Sequence, residues 1–204
     1  SPPGGDFSEP VTSHTKEIVQ TFWALSKELA DARHYPSVSW LDSFSGYVDT
    51  AAQWWAEAID PRWRELRSTA MGLLTQADEL ARIVNLVGPE ALSPEQRWAL
   101  EGAGLIKEAV LQQSALDEVD SYCSPEKQFA LLEMAITLYR EGVALLRLGA
   151  PVQLLLEQTM LARARRAKSS YGSDQLDQLR AFSQEICRDL QQLGQEYQEA
   201  EKSS

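Results

Sequence analysis

The 204-residue sequence predicts a mainly α fold, an antiparallel helical bundle behind a short irregular leader. Three observations predict it. Apolar residues recur at alternating spacings of three and four through most of the chain, the period of an amphipathic helix. Stops centred on proline and glycine separate the periodic stretches. β-branched and aromatic residues without a helical period are confined to residues 35–50, YPSVSWLDSFSGYVDT, which reads as extended chain and turns.

In order, Pro2, Pro3, Gly4, Gly5 and Pro10 deny residues 1–13 a regular helix or a central strand, so this stretch is expected to be a loop. Ile18, Phe22, Leu25 and Leu29 then predict an amphipathic helix ending near His34, because Pro36 disfavours α geometry at Tyr35. Asp60 followed by Pro61 opens a helix whose stripe is Trp63, Leu66, Ala70, Leu73, Ala77, Leu80, Val84 and Val87, stopped by Gly88 and Pro89. Ser93, Pro94 and Gln96 have the spacing of a capping box. Ser124 and Pro125 start a third long helix carrying Phe129, Leu132, Ile136, Tyr139, Val143 and Leu146, closed by Gly149 and Pro151. One helix is predicted over about 152–167. A last one over about 174–200 carries Leu176, Leu179, Phe182, Ile186, Leu190 and Leu193 and is polar enough to protrude or fray. One-sided helices on short connections bury their stripes against one another, which is bundle geometry, and no fixed repeat length points to a solenoid.

Composition narrows the function. A formal net charge of −11 has the wrong sign for a surface that tracks phosphates, so nucleic acid is not an expected partner. Mean hydropathy is −0.32, and no apolar run approaches the roughly 18 residues of a membrane-spanning helix. Cys123 and Cys187 read as reduced thiols. The first residue is Ser1, and SPPGGDFSEP lacks the basic start and apolar segment of a signal peptide, as expected of a domain cut from a longer chain.

Self-sufficient catalytic chemistry is missing. His14 and His34 are the only histidines, so there is no HExxH helix; no CxxC pair, GxSxG elbow or GxxxxGK[ST] phosphate loop occurs either. Asp6 after Gly4 and Gly5 would repel a phosphate. Three weaker features remain. Asp117, Glu118 and Asp120 form an acidic cluster, read as a solvated loop in preference to a cation site. Arg163, Arg165, Arg166 and Lys168 form a basic run, read as a solvated helix face in preference to a docking patch. Six tryptophans, with Trp54 and Trp55 adjacent, serve either the core or an interface.

Four strings resemble, in order and approximate spacing, the catalytic chain of the vacuolar and archaeal type of rotary ATP synthase: PPGGDFSEPVT, FWALSKELADARHYPSVSWLDSFSGY, ELARIVNLVGPEALSPEQR and LQQSALDEVDSYCSPEKQF. They span residues 2–129; the tail beyond fits the family's helical C-terminal region in length and pattern. The resemblance implies that residues 1–50 are the end of an α/β nucleotide-binding domain, a short irregular remnant, and that 51–204 are the C-terminal helical bundle. The phosphate loop, catalytic glutamate and most metal-site residues of the family lie upstream of this stretch, so the fragment alone is expected to be inactive.

The implied activity of the intact catalytic chain is ATP hydrolysis or synthesis coupled to rotor movement and H⁺ or Na⁺ transport. ATP or ADP with Mg²⁺ would be its cofactor, non-catalytic B subunits and central rotor-shaft subunits its partners, and the cytoplasmic head, peripheral to the membrane, its location. No residue here is expected to be catalytic or to bind metal. The implied adenine wall is Tyr35, Ala115 and Leu116. Leu116 stands where phenylalanine is usual, which keeps apolar contact but loses about 0.5–1.5 kcal/mol of ring geometry. That departure suits an alternative, an independent helical interaction module that binds only proteins; the retained PPGGDFSEP leader suits the family reading. The turn over residues 88–97, GPEALSPEQR, resembles the loop that pushes on the rotor shaft, with Glu90 and Glu95 its only acids. A stiff bundle swung by closure on ATP would act there as a lever.

Overall fold

The computed structural model describes residues 10–202; the leader through Glu9, predicted as a loop, lies outside them. Helix α1 runs over Pro10–Ile18, so residues 10–13 are helical where a loop is predicted. Pro10 occupies the first helical position, where its missing N–H costs nothing.

The helix predicted through Phe22 and Leu25 is instead strand β1, Thr21–Leu25, followed by a five-residue helix α2, Lys27–Asp31. TFWAL is β-branched and aromatic, and a three-four spacing over four residues is too short to outweigh strand pairing. Ser26 separates the two elements: its Oγ accepts the Leu29 N–H at 3.2 Å as the cap of α2. Strand β2, Val38–Ser45, pairs antiparallel with β1, with Phe22 opposite Phe44 and Leu25 opposite Val38, and a bulge between. The predicted extended segment thus stops at Ser45. Val48–Ala58 is helix α3, unforeseen because Tyr47 before it and its own Val48 and Thr50 favour strand.

The bundle follows the predicted punctuation except at its first start, where Pro61 lies in a turn and the cap position falls on Arg62 in place of Asp60. Helix α4 is Trp63–Val87, α5 Pro94–Ile106, α6 Pro125–Arg147 and α10 Leu176–Lys202. Their stripes form one core, including Leu66, Leu73, Leu80, Trp98, Leu131, Ile136, Phe182 and Ile186. The end of the α4 stripe is an exception, since Val87 is exposed. Trp98 is fully buried between α5 and α6, its indole N–H donating to the Tyr139 carbonyl at 2.9 Å.

Between α6 and α10 the single predicted helix is three short ones, α7 (Val152–Leu156), α8 (Thr159–Arg165) and α9 (Ala167–Ser170). The buried residues step from Leu155 to Met160, five positions and one too many for a continuous stripe, so the chain turns between them.

Candidate functional site

Two segments far apart in sequence meet at one end of α5. The first leaves α2 through Arg33, which has φ 56°, the left-handed conformation that ends a helix. The His34 N–H then bonds the Leu29 carbonyl at 2.8 Å, and the turn drives the His34 ring inward, 5.5 Å from Trp40 and edge-on to it. His34 Nε2 donates to the Lys107 carbonyl at 3.0 Å, while Nδ1 is buried without a partner. Tyr35, joined to Pro36 by a cis peptide, follows with its side chain 53% exposed.

The second segment begins where α5 widens into a π-helical turn, Lys107–Leu111. The Gln112 N–H closes that turn on the Lys107 carbonyl at 2.8 Å, and the Gln113 N–H donates to the Tyr35 carbonyl at 2.7 Å. The loop 112–124 thus sits beside Tyr35. Ala115 and Leu116 lie at its exposed outer part, Leu116 being 98% exposed. Of the three predicted wall residues, the structure therefore brings the backbone of Tyr35 to within two residues of Ala115 and leaves the side chains of Tyr35 and Leu116 open to solvent.

The acidic cluster is not simply a solvated loop. Asp117 Oδ1 accepts the N–H groups of Val119 and Asp120 at 2.9 and 2.8 Å. Asp120 is only 7% exposed: Oδ2 accepts the Ser114 N–H at 2.6 Å, its carbonyl accepts the Gln113 amide at 2.9 Å, and Oδ1 lies 3.7 Å from Lys168 Nζ. Asp117 Oδ1 and Asp120 Oδ2 are committed to amides, whereas Asp120 Oδ1 is buried without a hydrogen-bond partner and faces the Lys168 ammonium at ion-pair distance. Among the described residues no group of three or more His, Cys, Asp or Glu side chains is placed to hold a metal ion, so they do not fit Mg²⁺.

The basic run divides: Arg163 and Arg166 are exposed, as a solvated face requires, whereas Arg165 is half-buried and Lys168 buried. Arg163 pairs with Glu185 at 2.7 Å and lies 4.6 Å from the Phe182 ring centre, an arrangement that holds the Glu185 carboxyl below its ordinary range. Arg165 bonds both Glu101 of α5 and Glu108 of the π turn. Lys168 is 5% exposed and donates to the carbonyls of Gln112 at 2.6 Å and Val110 at 3.0 Å. Burial pushes its ammonium below the usual lysine range, with Asp120 acting against the shift. These groups line an open cleft of about 340 Å³ containing Glu108, Ser114, Asp120, Arg165, Arg166 and Lys168.

At the far end of α5, α4 stops at Gly88, whose φ of 86° and ψ of 161° suit glycine alone. A 3₁₀ turn, Pro89–Ala91, leads to the capping box: Ser93 Oγ accepts the Gln96 N–H at 3.3 Å, and the Ser93 N–H donates to Gln96 Oε1 at 2.9 Å. Leu86 and Val87 are exposed beside this turn. The tryptophans differ in burial: Trp98 is core, Trp55 stacks on Trp63 at 5.4 Å against the core, and Trp54 and Trp23 are exposed. Sequence reasoning missed His34, Lys127 and the pairing of Lys168 with the loop. The one available signal was lysine inside apolar-rich helical sequence.

Comparison with known proteins adds three findings. Residues 52–151 match the model of the C-terminal domain of V and A type ATP synthase, and residues 1–45 match the nucleotide-binding domain of the ATP synthase alpha/beta family. The chain is 65% identical over 202 residues to the V-type ATP synthase alpha chain of Nitrosococcus oceani, covering 99% of this chain and 34% of that one. It is 49% identical over 181 residues to the corresponding A-type ATP synthase chain of Ignicoccus hospitalis, covering 88% of this chain and 30% of that one. It therefore spans about a third of the length of these relatives. In fold it is similar to the ATP synthase subunit NeqB of Nanoarcheaum equitans, with a TM-score of 0.56 at 22% identity over 68% of this chain and 34% of that one.

Proposed function

The chain belongs to the V- and A-type ATP synthase family as a C-terminal portion of its catalytic chain, and from that premise we propose that it supplies the adenine-side wall of the nucleotide site and the arm that moves the rotor. Residues 1–50 close the nucleotide-binding domain and residues 51–204 form the bundle. Catalysis, the phosphates and Mg²⁺ belong to the rest of the catalytic chain. The partners are the B subunits and the central shaft, with the chain in the cytoplasmic head of the complex. Among the described residues no helix is long and apolar enough to cross a membrane.

The observation that carries the reading is the 2.7 Å bond from the Gln113 N–H to the Tyr35 carbonyl. It joins the turn bearing the aromatic residue to the loop bearing Ala115 and Leu116, which gives an adenine ring an exposed apolar surface from two segments. The same loop continues α5, a rod of about 20 Å that starts at the capping box near the proposed shaft contact. Movement at the nucleotide and movement at the shaft thus share one helix.

The test is nucleotide affinity in the assembled ATPase carrying the full-length catalytic chain. Leu116→Phe restores a ring and is expected to tighten ATP binding severalfold, and Tyr35→Ala to weaken it by about tenfold. Unchanged affinity in both variants would remove this surface from the nucleotide site.

A further inference from the structure

We propose that Lys168, itself held by Lys127, is a positioning residue that fixes the nucleotide-facing loop at both ends and so sets where Ala115 and Leu116 are presented; the inference rests on the adenine-wall reading above.

The geometry is that of a clamp. The ammonium bonds the Val110 carbonyl inside the π turn and the Gln112 carbonyl just past it, at 3.0 and 2.6 Å. Carbonyls at such a helix end have no intrahelical partner, and a cation there is favoured by the helix dipole. On its other side Nζ lies 3.7 Å from Asp120, whose second oxygen takes the Ser114 N–H. One ammonium therefore ties residues 110 and 112, before the proposed wall, to residue 120, after it. Lys127, fully buried on α6, fixes the clamp from behind, its Nζ donating to the Lys168 carbonyl at 2.8 Å. Burying two ammonium groups is costly where an apolar side chain would fill the space. What the lysines add is direction: donors aimed at backbone atoms of the loop.

The test compares Lys168→Met with Asp120→Asn in the assembled ATPase with the full-length catalytic chain, each with and without Leu116→Phe. Lys168→Met is expected to raise KM for ATP about three- to tenfold, with kcat changed by no more than about twofold, and to abolish the tightening produced by Leu116→Phe, because the new ring is no longer held in place. Asp120→Asn keeps an acceptor for Ser114 and is expected to act in the same direction with a smaller change. Hydrogen exchange at the Gln113 and Ser114 amides, read without nucleotide, is expected to quicken in both. An unchanged KM, a Leu116→Phe effect of equal size in all backgrounds, or unaltered exchange would overturn the proposal. If Lys168→Met does not assemble, the Asp120→Asn series decides by the same criteria. Should Leu116→Phe and Tyr35→Ala leave affinity unchanged in the otherwise native enzyme, the adenine-wall reading itself fails; altered exchange would still report the clamp.

Discussion

Lys127 donates its fully buried ammonium to the backbone carbonyl of Lys168 at 2.8 Å, so that one lysine holds the turn from which the next reaches out. The cost of losing it depends on what replaces it. Lys127→Ala leaves both a cavity and an unpartnered carbonyl and is expected to lower stability by about 3 kcal/mol or more. Lys127→Met fills most of the volume and also removes the buried charge, leaving mainly the lost hydrogen bond, about 1–2 kcal/mol. Urea denaturation of the two variants checks this; equal losses would mean that the cavity is not the larger part.

Two glycines inside helices are expected to respond to alanine with opposite signs. A Cβ on Gly142 would lie 2.3 Å from the Trp98 ring, so α5 and α6 can approach this closely only without a side chain there. Gly142→Ala is expected to destabilise by about 1–3 kcal/mol through overpacking. Gly72 in α4 has nothing within 4 Å of the same point, and Gly72→Ala should stabilise by about 0.5–1 kcal/mol through helix propensity. Thermal or urea melts read both.

How far the sequence discloses the fold depends on how local the physics is. Ser93 and Ser124 cap their helices through bonds to backbone three residues on, and both starts are legible for that reason. Strand β1 depends on residues 38–45 for its partners, and nothing within TFWAL distinguishes that pairing from the start of a helix. The broken stretch α7 to α9 is similar: its turns follow a step in the buried face that only packing reveals. For the candidate site, Tyr35, Ala115 and Leu116 were accessible through resemblance alone, because exposed loop residues leave no periodic trace. The solvated-face reading of the basic run holds for Arg163 and Arg166 and fails for Arg165 and Lys168, which find their partners in Glu101, Glu108, Val110 and Gln112, tens of residues away.

The entry to α4 should carry an acid-sensitive share of stability. Asp60 Oδ1 accepts the Arg62 N–H at 2.8 Å, and both carboxylate oxygens bind the Arg62 side chain, which also reaches Glu133 of α6 at 2.5 Å. The Arg62 side chain chiefly, against burial, holds the Asp60 carboxyl below its ordinary value. A lowered carboxyl pKa means that on acidification the unfolded chain takes up the proton first. The stabilisation is therefore complete above about pH 4 and is lost as pH falls through the folded-state value. Asp60→Ala is expected to cost about 1 kcal/mol at neutral pH and to converge on the native chain as pH falls below about 4. A difference that stayed constant down to pH 2 would remove the charge from the account.

The turn proposed to meet the shaft is expected to be unusually intolerant of a side chain at one position. Gly88 has φ 86° and ψ 161°, a region that residues with a Cβ scarcely enter, and a Cβ built there also falls 3.1 Å from Glu90 Oε2. Gly88→Ala should cost about 1–3 kcal/mol, more than the approximately 1 kcal/mol expected for Ser93→Ala, which loses one capping bond. Both residues lie in the link between α4 and α5, but they fail differently. Ser93→Ala frays the start of α5 while the link keeps its path, whereas Gly88→Ala forces the path itself to change. In the assembled ATPase, Gly88→Ala is therefore expected to reduce the ions moved per ATP hydrolysed, and Ser93→Ala to leave that ratio near its native value. Equal coupling in the two variants would separate the backbone geometry at Gly88 from any contact with the rotor.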